Sequence, residues 1–286
     1  MKQLYILVIA LMLLFVVSCN KEQYSNNNTT LHNDTPLIAK KPKGAFRIMT
    51  YNVGAINKFI NENFSKEDNV KLLAEIIKES QADAVALQEL DSCNTRNNYF
   101  QLKALAEACG SNWSYYYGPA INYKGGKYGT GVAVKGEKPI KTLHIPIPVK
   151  EGSEARVLTI AEFKDYVLAS THLNSRQPAQ VEALSAEVKK LYGDSSKPVF
   201  LGGDMNANIG DETMNTFNKY WRVISQSESG STVITVTKPC IDFILQFNNR
   251  AKSVEVLGSK VIKQANAGDM KIASDHYAVY VDVVLP

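Results

Sequence analysis

Several short stretches of this sequence run apolar and then deliver a side chain able to bind a cation or move a proton. TYN closes on Asn52, ALQE on Glu89, STH on His172, and VFLGGDMN on Asp204 and Asn206. In the reverse sense, Asp242 precedes FILQF, and Asp275 with His276 precedes YAVYVDVVL. Each has an ordinary reading by itself. Asp and Asn after glycine turn back on their own backbone, a glutamate at a strand end is solvated, and an interior histidine finds a local partner. Carboxylates, imidazoles and carboxamides gathered on one rim would instead be a metal and proton-transfer site. The chain has only 4 histidines, so placing two of them in this set carries weight.

The elements that must position these residues are many strands with a few helices between them. FRIMTYN and DAVALQE read as strands ending on Asn52 and Glu89, with a helix starting at Ser65 between them, signalled by a Ser–x–x–Asp cap. LKALAEACG reads as a helix stopped by Gly110, and YGTGVAV as the next strand. ARVLTIAEF and YVLASTH read as a hairpin around Lys164 and Asp165. PAQVEALSAEVKKLYG is a helix with Pro178 in its first turn and Gly193 at its end. The two glycines of LGGD allow a close approach. If the strands starting at Asp242 and after His276 run antiparallel to the others, all the polar residues share one rim.

Composition sets the frame. The 286 residues are 45% hydrophobic and 21% charged, which suits one folded unit with a sizeable core. MKQLYILVIALMLLFVVSC has the charged, apolar and small-residue sections of an export signal, and it resembles a lipoprotein signal cleaved before Cys19. Its apolar run falls short of the roughly 20 residues of a comfortable membrane span. We therefore expect a signal peptide at 1–18, a polar tether at 19–43 and a folded domain at 44–286, exported and held on a bacterial cell-envelope membrane by lipid on Cys19. A monomer is expected. Of the remaining cysteines, Cys93 and Cys109 either pair or stay free beside Cys240, and no spacing suggests zinc. Removing Lys2, the only charge of the leader, takes the formal net charge from +4 to +3, weak for a chain that coats nucleic acid.

The set TYN, ALQE, THL, GGDMN, IDFI and SDH, in this order and from about Arg47 to the C-terminus, resembles the endonuclease/exonuclease/phosphatase superfamily. The resemblance implies an α/β (α+β) fold, a four-layer sandwich of two packed mixed β-sheets flanked by helices, with the active site at one end. It implies metal-dependent phosphoester hydrolysis. A phosphodiester is anionic, so a divalent cation must offset charge in the transition state. Mg²⁺ suits few carboxylates and several waters, with Mn²⁺ or Ca²⁺ as alternatives. Glu89 is the main expected ligand, with Asn52 and Asp275 completing the shell directly or through water. His276 is the expected general base, oriented by Asp242. Asn206 is expected to donate to a phosphate oxygen, and either Asp204 or His172 to protonate the leaving oxygen. One metal or two stays open. Glu154-Ala155-Arg156 and Tyr128-Gly129-Thr130 resemble two further family segments, giving Arg156, Glu154 and Tyr128 as expected phosphate support, with Arg156 set to support either the phosphate or the Asp204 carboxylate and Thr130 standing where the family carries Asn.

The superfamily takes many substrates, so the substrate must be argued separately. Nonspecific polymer binding draws on several Lys and Arg contacts, and the weak charge favours a small or lipid-headgroup phosphoester over DNA or RNA. An exported nuclease is the alternative, and an inert surface-binding lipoprotein is the reading from another class. The aromatic and Lys segment from Trp113 to Lys127 is the expected specificity wall, with Arg176 nearby.

Overall fold

Parallel neighbours cannot be joined by a tight turn, so two strand–helix–strand crossovers organise this fold. The computed structural model describes residues 37–56, 65–225, 230–234 and 240–286. The expected signal peptide, and the tether as far as residue 36, lie outside the described residues. In chain order the elements are β1 (Phe46–Asn52), a 3-10 turn (Gly54–Ile56), α1 (Lys66–Glu79), β2 (Ala84–Ser92), α2 (Gln101–Cys109), β3 (Trp113–Tyr123), β4 (Gly126–Lys135), β5 (Lys141–Ile147), β6 (Arg156–Glu162), β7 (Val167–His172), α3 (Pro178–Tyr192), β8 (Val199–Asp204), α4 (Glu212–Phe217), β9 (Trp221–Val223), β10 (Asp242–Phe247), β11 (Glu255–Ile262), α5 (Met270–Ala273) and β12 (Ala278–Val284).

Two 6-stranded mixed sheets result, ordered β11-β12-β1-β2-β4-β3 and β5-β6-β7-β8-β10-β9. The central pair of each is parallel, β1 with β2 and β7 with β8. Their other neighbours, β12 on β1 and β10 on β8, are antiparallel. This is the arrangement needed to bring the ends of β1, β2, β7 and β8 and the beginnings of β10 and β12 to one rim. The period-2 alternation of each strand then sorts side chains between layers. Ile48, Ala86 and Val132 meet Leu168, Phe200 and Ile244 between the sheets. Met49, Val85 and Leu87 face outward onto α1 and α2, and Ala169, Leu201 and Leu245 onto α3 and α4. The architecture is the four-layer α+β sandwich.

Local signals explain the helices. Ser65 accepts from the Asp68 backbone N–H while the Asp68 carboxylate accepts from that of Ser65, a capping box at the start of α1. Pro178 occupies the first turn of α3 and Gly193 follows its last residue. Two strand readings change. β2 continues past Glu89 to Ser92, through a bulge between Leu87 and Leu90. The aromatic segment forms β3, an edge strand hairpinned to β4 through Lys124 (φ 45) and Gly125 (φ 83), the positive angles of a type I′ turn. Trp113 pairs with Lys135 at the end of the hairpin away from the rim, so only the tip of the aromatic and Lys segment stands on the rim's side.

The chain is already packed before Gly44. Ile38 is in the core, and the Ala39 carbonyl accepts from the Arg47 guanidinium, which is buried and paired with Asp282 at 2.7 Å. A buried guanidinium needs its acceptors, and this one draws the preceding segment onto the sheet. Cys93, Cys109 and Cys240 are all free, with burial pushing the Cys109 and Cys240 thiols up to about 12. No helix among the described residues is long and apolar enough to cross a membrane.

Near the rim the layer between the sheets turns polar and tight. Gln88 Nε2 donates to Ser170 Oγ at 3.1 Å, Ser170 Oγ donates to the Leu87 carbonyl at 2.9 Å, and the Thr130 and Thr159 hydroxyls meet at 2.7 Å. Thr130 thus ties the sheets together rather than facing the rim. A Cβ on Gly202 would lie 2.6 Å from Ala86 Cβ, which is why this strand carries glycine there. Gly202→Ala should therefore cost about 1–3 kcal/mol as overpacking. Urea unfolding checks this, and wild-type stability would refute the close approach.

Candidate active site

The rim is assembled by strand register. On the second sheet, His172 of β7 pairs with Asp204 of β8, which pairs with Asp242 of β10, so the three stand in one row. On the first sheet, Asn52 of β1 pairs with Gln88 of β2, and the chain carrying Asp275 and His276 enters β12 beside β1. Ser274 fixes that entry: its Oγ donates to the Asn52 carbonyl at 2.7 Å and accepts from the His276 N–H at 3.2 Å. Ser274 was not singled out in the sequence, although a hydroxyl two residues before a histidine is a turn signal.

Asn52 is the clasp between the sheets. Its Nδ2 donates to Glu89 Oε1 and to Asp204 Oδ2, both at 3.1 Å, while its Oδ1 accepts from the Gly54 N–H. In this orientation Asn52 offers hydrogens to carboxylates rather than an oxygen to a cation. Glu89 sits half-buried inside the β2 bulge with φ +56, a left-handed conformation costly for glutamate. The bulge turns its side chain out of the strand alternation toward the rim. Asn206 has φ +47, a left-handed backbone that asparagine tolerates.

Asp204 lies between the two imidazoles, its Oδ2 3.6 Å from His172 Nε2 and 3.8 Å from His276 Nε2. Burial, reinforced by Asp242, raises Asp204 from 3.8 to about 7, against the pull of His276, the Asn206 N–H and Asn52. Asp242 Oδ2 holds His276 Nδ1 at 2.9 Å. Burial opposes charge on His276, but Asp242, then Asp204 and Asp275, outweigh it and raise His276 from 6.5 to about 10. The side chain of Asp275 also bears electrostatically on the buried Tyr51 hydroxyl.

Asn206 lies against His172. Its Nδ2 donates to the Leu173 carbonyl at 2.8 Å and lies 3.0 Å from His172 Nε2. An amide nitrogen can act there only as a donor, as can the Arg156 guanidinium on the other side of the ring, so the two contacts bracket the imidazole without setting its tautomer. Asn206 Nδ2 thus bridges the Leu173 carbonyl and the His172 ring. Arg156 is mostly buried behind the same ring: its Nε donates to Asn174 Oδ1 at 2.6 Å, one NH donates to Glu154 at 2.5 Å, and the same nitrogen lies 3.5 Å from His172 Nδ1. Asn174 is a further residue the sequence reading did not name. Tyr128 is half-buried on β4, where Glu89, Glu154 and Arg156 act on its hydroxyl.

The donors present fit a divalent cation. Glu89 has no cationic partner among the described residues, and its bonds from protein donors there come from Asn52 alone. A separate group, Asp204, Asp242 and His276, brings ligand-type atoms within 4.8 Å of one another, and Asp242 Oδ1 is buried without a hydrogen bond among the described residues. The tightest ligand cluster is thus not the expected Asn52, Glu89 and Asp275 set.

Such a sandwich, with an acid and imidazole rim at one end, defines a metal-dependent phosphoester hydrolase. The chain belongs to the endonuclease/exonuclease/phosphatase family, whose sequence pattern it matches over residues 49–276. Among curated proteins the sequence finds no match. Similar solved structures include a mannosyl-6-phosphatase of Bacteroides thetaiotaomicron (TM-score 0.65, 15% identity, 84% of this chain and 100% of that one). An endonuclease/exonuclease/phosphatase from Bacteroides vulgatus superposes with TM-score 0.64 at 16% identity, over 85% of this chain and 100% of that one. The human Nocturnin catalytic domain, with bound sulfate, does so with TM-score 0.63 at 18% identity, over 85% and 94%. At these identities the likeness is one of fold.

Proposed function

We propose that this chain is an exported, lipid-anchored phosphoesterase that uses Mg²⁺ to hydrolyse a small or headgroup-type phosphoester. The observation that carries the reading is the inter-sheet junction at which Asn52 joins Glu89 to Asp204, with the Asp242–His276 pair beside it. Glu89 and Asp275 would hold the cation, with Asn52 steadying Glu89. When bound, it supplies charge neutralisation at a non-bridging oxygen and lowers the proton affinity of nearby groups. With its proton affinity lowered by the bound cation, His276, held by Asp242, would take the proton of the attacking water. Asp204 and His172 face the leaving oxygen and return a proton to it, and Asn206 keeps the His172 ring in place. Arg156 steadies the other edge of that ring, and Tyr128 stands next to Glu89.

The fold relative that is a mannosyl-6-phosphatase supports a compact phosphomonoester as readily as a diester. The formal charge of +4 gives little purchase on a polymer of phosphates. Activity on bis-nitrophenyl phosphate, sphingomyelin-type lipid, sugar phosphate, plasmid DNA and RNA oligomers, each with Mg²⁺, Mn²⁺, Ca²⁺ or EDTA at two salt concentrations, tests the reading. The expected result is cation-dependent turnover of the small or lipid esters. Efficient, steeply salt-sensitive cleavage of nucleic acid alone would make the chain a nuclease. Turnover of none would leave a binding lipoprotein.

The anchor has its own test. Cys19→Ala should move the protein out of the membrane fraction of a bacterial host, and mass spectrometry of the mature N-terminus should find lipid on Cys19. An unmodified Cys19 overturns the anchor without touching the chemistry.

A further inference from the structure

On the second sheet's side of the rim lies a polar cleft with a volume of about 350 Å³. The connection from β7 to α3 contributes Ser175 and Arg176 to it, the connection from β8 to α4 contributes Asn206, Asn208 and Asp211, and the first turn of α4 contributes Glu212 and Thr213. Asn206 is shared with the rim, through its contact with His172 Nε2 at 3.0 Å. A group seated in this cleft therefore lies beside His172 and Asp204, the pair placed on the leaving oxygen.

The walls are built for hydroxyl groups. Arg176 makes no ion pair or side-chain hydrogen bond with a described residue, and it keeps a left-handed backbone (φ +55) that a non-glycine residue adopts only at a cost. Thr213 is 1% exposed, and its hydroxyl finds no hydrogen bond among the described residues. Asp211 accepts from the Asn208 N–H at 2.7 Å, fixing the loop between them. The lining offers guanidinium, carboxylate, amide and hydroxyl groups and has no aromatic ring. A nucleobase is held by stacking, which nothing here provides. A second phosphate would face the carboxylates of Asp211 and Glu212 against the single guanidinium. Hydroxyl groups, each both donor and acceptor, suit such a mixed set.

We infer that this cleft selects the alcohol esterified to the phosphate, and that this alcohol is hydroxyl-rich, a sugar or polyol. The inference rests on the hydrolase reading above, with His172 and Asp204 on the leaving-group side. Arg176 is its specificity residue.

Arg176→Asn removes the guanidinium while keeping a residue that tolerates the left-handed backbone, and Thr213→Val removes the hydroxyl at constant shape. kcat/KM is measured on glucose 6-phosphate, on phosphatidylinositol in mixed micelles, and on p-nitrophenyl and bis-nitrophenyl phosphates, which carry no hydroxyls. Arg176→Asn should lower efficiency on a hydroxyl-rich ester at least ~10-fold, mainly through KM, with less than about twofold change on the aryl esters. Whether the loss falls on glucose 6-phosphate or on phosphatidylinositol separates a free sugar phosphate from a lipid headgroup. Equal losses on all esters, or none, overturn the inference. Should wild type hydrolyse nothing, the hydrolase reading fails separately, and calorimetric binding of glucose 6-phosphate and myo-inositol still decides the cleft. Binding weakened by Arg176→Asn supports it, and absent or unchanged binding overturns it.

Discussion

Glu89→Gln is expected to lower turnover by at least ~10²-fold at saturating divalent cation, while the protein unfolds at the wild-type urea concentration. The substitution preserves shape and leaves an oxygen to accept from Asn52 Nδ2, which donates to Glu89 at 3.1 Å. Only the charge is lost. A charge on a half-buried group with no cationic partner among the described residues does little for stability, so its removal should register almost entirely in the cation-dependent rate. Asn52→Ala gives the complementary result. It frees both Glu89 and Asp204, which Asn52 joins across the sheets, so activity and stability should fall together. If Glu89→Gln, purified free of wild type, turned over substrate at a near wild-type rate in EDTA, the cation would not be acting where we place it.

His276→Ala should cost a similar factor, at least ~10²-fold in kcat, the usual scale for losing a positioned base. Its neighbours make the prediction sharper. Asp242 bonds Nδ1 at 2.9 Å and leaves Nε2 toward the rim, 3.8 Å from Asp204. Asp242→Asn should then reproduce much of the loss by freeing the ring to turn, even though the imidazole remains. A small imidazole or formate added to His276→Ala should restore part of the rate, and none to Asp242→Asn. Unlike a purely structural histidine, His276 should show this rescue. A His276→Ala variant with full kcat would remove it from the reaction.

The residues of the rim were legible in the sequence because each closes or opens an apolar run, and the end of a strand is where a side chain can leave the core. Strand type was legible for the same reason: FRIMTYN, YVLASTH and VFLGGD alternate or run apolar with period 2 and form β1, β7 and β8. The family pattern fixed which sandwich those strands build. Pairing was different. That β10 opposes β8 and β12 opposes β1 is a matter of long-range register, and no local signal in either strand carries it. β3 was missed because its tyrosines suggested a binding wall, while the positive-φ turn at Lys124 and Gly125 that makes it a hairpin is a backbone property.

Side-chain orientation lay further still from the sequence. Asn52 and Asn206 were named for what a carboxamide can do, but an amide has two ends, and its neighbours choose which end faces the site. The chain that brings Gly54 N–H onto Asn52 Oδ1, and Leu173 carbonyl onto Asn206 Nδ2, makes both residues clamps on other groups. Glu89 was identifiable as an acid at a strand end, whereas the bulge that aims it exists only because β4 pairs with β2 on both sides of it. Residue type and order along the chain thus settled which chemistry is available, and tertiary contacts, which hold strained backbone and assign each donor its acceptor, decided how it is arranged.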